Sequence, residues 1–395
     1  MTVITNARVV FPDRIRTGGV VLDGGKISAV FEGDFRGASG NLELIDAGGL
    51  YLSPGWIDLH AHGAGGSDYM DGTPQAMEQA AKTQLRHGVT GVVPTALSGS
   101  REELRAVVDN FRLVKERMKD GPNLLGLHFE GPYFSPAQCG AQDPAFLRTP
   151  DPAEYEELVE KAAGAVKLWS SAPELPGALE LGRYLQKHGV VAAIGHSDAE
   201  YRQAEAAWEN GYNHITHLYS AMSTIHRVDG YRRLGVVEAA YLLEGFTVEI
   251  ITDGCHLPPE LIQLVYRLKG PDKVCLITDS MRGAGMPEGK SLLGSLKNGQ
   301  EVVIEHGVAW MPDHSSFAGS TATGDRLVRV VHQECGIPLW DAVRMASLTP
   351  ARVLGLDAQK GSITAGKDAD LLLFDDSIDI KSIFVMGCPI PMKEA

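Results

Sequence analysis

Cysteine is scarce: the five present (Cys139, Cys255, Cys275, Cys335 and Cys388) are scattered, odd in number and form no CxxC pair. A disulfide framework or a cysteine-based zinc site is therefore not expected, and reduced thiols in a cytoplasmic protein fit best. Long apolar runs are missing too. No window approaches the roughly 18 apolar residues of a membrane span, and Met1–Ile15 shows no basic leader followed by an apolar stretch. Basic residues are outnumbered, 36 against 50 acidic, for a formal net charge of −14. Nucleic acid and anionic membranes need a basic surface, so neither is an expected partner. A phosphorylated metabolite stays open, because a few local Arg or His residues can hold one phosphate. No GxGxxG turn follows the first strand-like segment of the central region, which argues against an open dinucleotide-binding sheet.

What is present is an ordinary globular composition, 44% hydrophobic and 22% charged over 395 residues, enough for a large catalytic domain and a smaller one. Both ends read as short strands with turns, and Asp23-Gly24-Gly25 between apolar runs is a hairpin signal. Residues 1–52 and 358–395 are accordingly expected to form one small β-sandwich domain. Between them, residues 53–357 alternate eight apolar runs with amphipathic stretches such as Thr73–His87 and Ala199–Asn210. Strands alternating with helices imply parallel βα units, and eight of them predict a closed (β/α)8 barrel of the TIM type. Every run except the second and fourth ends on or just before a His, Asp or Glu. Barrel enzymes build their sites at that face.

His60 and His62 stand two apart on the first run, so both imidazoles point the same way. Turned into a barrel they form half of a metal site; a hydrogen-bonded core pair is the alternative. Their setting, Pro54-Gly55-Trp56-Ile57-Asp58-Leu59-His60-Ala61-His62-Gly63, resembles the first-strand motif of the amidohydrolase superfamily. Further stretches follow in order: His128-Phe129-Glu130-Gly131-Pro132, Gly195-His196-Ser197, Thr216–Met222, Asp253–His256, Thr278-Asp279-Ser280 and Phe317–Ser320. Together they resemble the N-acetylglucosamine-6-phosphate deacetylase family, over about residues 46–375.

The resemblance implies a role for each matching position. Glu130, His196 and His217 correspond to the principal metal ligands, and His60 and His62 to a second metal position, with Glu130 bridging. One or two divalent ions follow, zinc foremost, with iron, cobalt or manganese as alternatives. Asp279 corresponds to the general acid/base that takes a proton from the metal-activated water and returns it to the departing amine. His256 corresponds to the residue that stabilises the oxyanion. By residue type alone, Asp279 also reads as a helix N-cap and His256 as a loop histidine.

Substrate contacts implied by the family fall on Gln142, Ser220, Ala221, Arg227 and His256. Ser220 stands where the family commonly has Asn, and Gln142 where it often has His. The segment around Arg227 is longer than usual and adds His226, Arg232 and Arg233. In the family that arginine often comes from the neighbouring subunit, which implies a homodimer; an exposed basic loop is the alternative. The implied reaction is hydrolysis of N-acetylglucosamine 6-phosphate to glucosamine 6-phosphate and acetate. The alternatives are N-acetylgalactosamine 6-phosphate, an unphosphorylated amino sugar, an N-acyl amino acid, or a noncatalytic scaffold of the same fold. A carboxylated bridging lysine, as in dihydroorotase-like sites, would have to be Lys167. Four strand residues follow it, at about 3.3 Å each, which puts it far below the rim.

Overall fold

A computed structural model describes residues 1–35 and 42–391. Its centre is a parallel barrel of eight strands: β1 (Trp56–Ala61), β2 (Val89–Ala96), β3 (Leu127–Glu130), β4 (Val166–Ser171), β5 (Val191–Ile194), β6 (Tyr212–Ile215), β7 (Thr247–Ile251) and β8 (Val274–Ile277). They pair in sequence order from β1 to β8. The ring meets again at the rim, where Asp279 N donates to the His60 carbonyl at 2.9 Å and His62 N to that of Ser280 at 2.8 Å. The closing seam thus holds the first-strand histidines against Asp279.

The expected helices are present. Pro74–Arg86 starts where the Thr73 hydroxyl accepts from Ala76 N and a proline sits in the first turn. Arg101–Arg117 opens on a Ser100/Glu103 capping box. Tyr201–Glu209 fills the second predicted stretch. These helices pack apolar faces on Val92, Phe129, Trp169, Ile194, Ile215 and Val248 of the barrel wall, all fully buried.

Both termini build one further sheet. Thr2–Val10 lies parallel to Tyr51–Pro54, which pairs antiparallel with Leu371–Phe374 near the other end of the chain. The Asp23–Lys26 turn closes a hairpin with Gly24 and Gly25 at φ 54° and 83°, the backbone of a primed turn. All eight strands hydrogen-bond into one sheet around their own core of Ile4, Val9, Val20, Ile27, Leu52 and Leu371.

Two antiparallel elements were not anticipated from the sequence. A four-stranded sheet, Gly289–Leu293, Gln300–Glu305, Val308–Trp310 and Phe317–Ser320, follows β8. A small hairpin, His226–Val228 with Tyr231–Arg233, follows β6 and is exposed throughout. The hairpin strands are exposed throughout, and the strands of the sheet are only three to six residues long around a small core of Val302, Ile304, Ala309 and Ala318, too short to stand out as strand runs. Among the described residues no helix is long and apolar enough to cross a membrane.

Candidate metal centre and active site

Six side chains converge at the C-terminal mouth of the barrel. His60 lies on β1 and Glu130 ends β3, while His62, His196, His217 and Asp279 sit one or two residues beyond β1, β5, β6 and β8. His196, His217 and Asp279 have positive φ, 47°, 26° and 47°. Non-glycine residues avoid that region, and such strain concentrates at functional sites.

The Nε2 atoms of His60 and His62 lie 3.2 Å apart, as do those of His196 and His217. Glu130 sits between the pairs: Oε1 is 2.9 Å from His217, 3.0 Å from His196 and 3.6 Å from His60, and Oε2 is 3.4 Å from His62. Asp279 Oδ1 lies 3.0 Å from His62 and 3.5 Å from His60. Two three-residue groups result, His60–His62–Asp279 and Glu130–His196–His217, all buried.

This arrangement suits cations. Imidazole nitrogens 3.2 Å apart with both lone pairs converging repel unless a proton or metal lies between them. The opposite face of His196 is anchored, with Nδ1 2.9 Å from the Gln138 carbonyl, so that nitrogen carries the proton and Nε2 faces the centre bare. Among the described residues, the Nδ1 atoms of His62 and His217 are buried without a hydrogen-bond partner, as is Oδ2 of Asp68. Burial pushes the carboxyls of Glu130 and Asp279 up, but the surrounding histidines outweigh it and hold both below the usual carboxylate range. Two anionic carboxylates among four imidazoles are the donor set of a divalent metal such as zinc.

A cavity of about 410 Å³ opens over these groups. His256 lines it, with Nδ1 2.8 Å from Asp253 Oδ2 and its ring 4.7 Å from that of Phe317. Asp253 Oδ1 also accepts from Cys255 N and His256 N, each at 2.8 Å. Burial raises the Asp253 carboxyl, yet bonds from His256 and the backbone leave it below its ordinary value. Gln142, Ser220 and Ala221 line the cavity as well. The Gln142 amide is already engaged: Oε1 accepts from Ser98 N at 2.8 Å and Nε2 donates to Glu130 Oε2 at 2.6 Å. Arg227 is not brought to the cavity; it stands exposed on the hairpin, and among the described residues no lysine or arginine lines the pocket. Asp279 is not an N-cap, since the next helix begins at Gly324. Lys167 is the second residue of β4, well below the rim.

Residues 51–390 match the model of the Amidohydrolase family. The N-acetylglucosamine-6-phosphate deacetylase of Vibrio furnissii is 35% identical over 92% of this chain and 88% of its own. The N-acetylgalactosamine-6-phosphate deacetylase of Escherichia coli O157:H7 is 33% identical over 85% and 86%. An N-acetyl-D-glucosamine-6-phosphate deacetylase variant from Mycobacterium smegmatis, solved with N-acetyl-D-glucosamine-6-phosphate, superposes with a TM-score of 0.89 at 31% identity, covering 99% of each chain. This chain belongs to the amidohydrolase family, among its N-acetylglucosamine-6-phosphate deacetylases.

Sequence reasoning missed the residues that brace this amidohydrolase site from behind. Asp58 accepts from the Thr278 hydroxyl at 2.5 Å and from His60 N at 3.2 Å, tying β1 to the start of the Asp279 turn. Glu249, fully buried on β7, meets His60 and His214. His128 is wedged between Thr95 and Ser170, and burial pushes its pKa well below the usual value. The one available signal was a charged or histidine residue inside an otherwise apolar strand run, as in Phe246–Ile251.

Proposed function

We propose that this amidohydrolase removes the acetyl group from N-acetylglucosamine 6-phosphate, giving glucosamine 6-phosphate and acetate in the cytoplasm. The observation that carries this is one cavity that joins the six-residue centre to His256, in a chain whose relatives of near-equal length are deacetylases. One or two divalent ions, zinc foremost, would be held by Glu130–His196–His217 and His60–His62–Asp279. A metal bound there polarises the acetyl carbonyl and lowers the pKa of water.

The chain's own groups carry the proton and the charge. Asp279, anionic and facing the cavity, accepts the proton of the attacking water and returns it to the amine nitrogen as the C–N bond breaks. His256 has one ring nitrogen tied to Asp253 and makes no protein hydrogen bond through Nε2 among the described residues. Donation from Nε2 to the carbonyl oxygen requires a proton on each ring nitrogen, the Nδ1 proton being held by Asp253. With no Lys or Arg among the described residues of the lining, the phosphate needs a cation from elsewhere. Arg227 of the partner subunit in a homodimer supplies it in this proposal, with the Ser220 hydroxyl as a neutral hydrogen-bonding group.

The match to an N-acetylgalactosamine-6-phosphate deacetylase keeps the epimeric sugar as a second reading. The test is acetate release by the zinc-loaded protein from N-acetylglucosamine 6-phosphate, N-acetylgalactosamine 6-phosphate and unphosphorylated N-acetylglucosamine, with and without a chelator. Fast, chelator-sensitive turnover of the glucosamine phosphate alone is expected. Preference for the galactosamine phosphate would move the assignment to the second sugar, and equal turnover of the phosphate-free sugar would remove phosphate recognition.

A further inference from the structure

A buried carboxylate the mechanism leaves unused lies behind the centre. Glu249 is wholly inaccessible inside the barrel, where interior positions are usually branched aliphatics. Such a charge persists only with dedicated partners. It has three: Oε2 lies 3.1 Å from His60 Nδ1 and 3.3 Å from the backbone N of His217, and Oε1 lies 3.2 Å from His214 Nε2. It therefore touches one member of each ligand group.

The hydrogen bonds around it can be given a direction. The Glu249 carboxylate only accepts, so the proton of His214 sits on Nε2 and points at Glu249, which leaves Nδ1 to accept from the Thr247 hydroxyl 2.6 Å away. A carboxylate donates nothing, so the proton of His60 is drawn to Nδ1 and the lone pair of Nε2 is left facing His62 and Asp279.

We infer that Glu249 is a positioning residue for the second metal position, fixing His60 in the tautomer that can ligate. The inference rests on the two-metal form of the proposed function. A glutamine there has one oxygen and one NH2 group. If the oxygen faces His60, the NH2 opposes the proton of His214. If the NH2 faces His60, it accepts nothing from Nδ1–H and favours the tautomer whose Nε2 is blocked.

The experiment compares wild type with Glu249→Gln, each loaded with zinc, by titrating with a competing chelator and measuring zinc per chain. Wild type is expected to hold two equivalents. In Glu249→Gln one equivalent should be released at about 10- to 100-fold lower chelator, the other unchanged, with thermal melting confirming an intact fold. Should that variant fail to fold, Thr247→Val, which frees the His214 tautomer, is expected to weaken the same equivalent by a smaller factor. Two equivalents released as in wild type would overturn the inference, as would loss of both together. A wild type that binds only one would instead overturn the two-metal reading beneath it.

Discussion

Asp279 carries the most chemistry of any single residue in this site, and its placement explains why. The turn after β8 puts it in a left-handed conformation at the barrel seam, 3.0 Å from His62 and open to the cavity. It can therefore take a proton from water on one side while remaining part of the His60–His62 group. Asp279→Asn keeps the shape and removes the basicity. Turnover should fall by about 10² to 10⁴, the range for a positioned general base, while zinc at Glu130–His196–His217 stays bound. Metal analysis beside acetate release checks it, and retained activity would end the acid/base role. Gln142 shows where residue identity stops being informative: its family position implied a substrate contact, and nothing in its type told that its amide also braces Glu130. Glu249 was equally hidden, because a lone acid in an apolar run does not reveal which partners face it across the barrel.

Strands and helices divide cleanly into those the sequence announces and those it does not. The barrel strands were legible because both faces are buried, which writes continuous apolar runs, and because a His, Asp or Glu stands at or just beyond the end of six of them. The sheet after β8 and the Arg227 hairpin obey no such pattern. The hairpin closes through Asp229 and Gly230 at φ 48° and 85°, and Tyr231 at its turn is 75% exposed. The hairpin is exposed at every residue, so removing its arginine should bear on binding rather than on the fold of one chain. Arg227→Ala should raise KM for N-acetylglucosamine 6-phosphate about 10- to 100-fold, the worth of a charge-assisted bond. Its kcat, and the slow turnover of the unphosphorylated sugar, should barely change. A kcat loss shared by both substrates would give the arginine another task, and light scattering on the variant separates lost phosphate binding from lost dimer.

At the scale of the whole molecule, a buried charge cluster braces the terminal sheet where it meets the barrel. Lys360 Nζ lies 2.7 Å from Asp368 and 2.6 Å from Asp370, with all three largely buried. Asp370 also accepts from Met386 N in the sheet and from Asn123, which donates in turn to the Thr90 carbonyl of β2. Burial raises the Asp368 carboxyl, but Lys26 and Lys360 outweigh it and hold it below its ordinary value. Its contribution is therefore present above the unfolded carboxylate range and is lost as pH falls through the lower folded value. Lys360→Met would leave Asp370 buried without its cation, while Lys26 still neutralises Asp368. The cost should then sit near the low end for a broken buried pair, about 3 kcal/mol, read as a lower melting temperature at neutral pH. Because the orphaned carboxyl regains neutrality by taking a proton, its folded pKa in the variant rises above the unfolded one. The deficit should then shrink as pH is lowered toward about 4, where wild type is also losing the Asp368 contribution. A deficit that stayed constant with pH would mean that Lys360 acts by packing its aliphatic stem rather than by its charge.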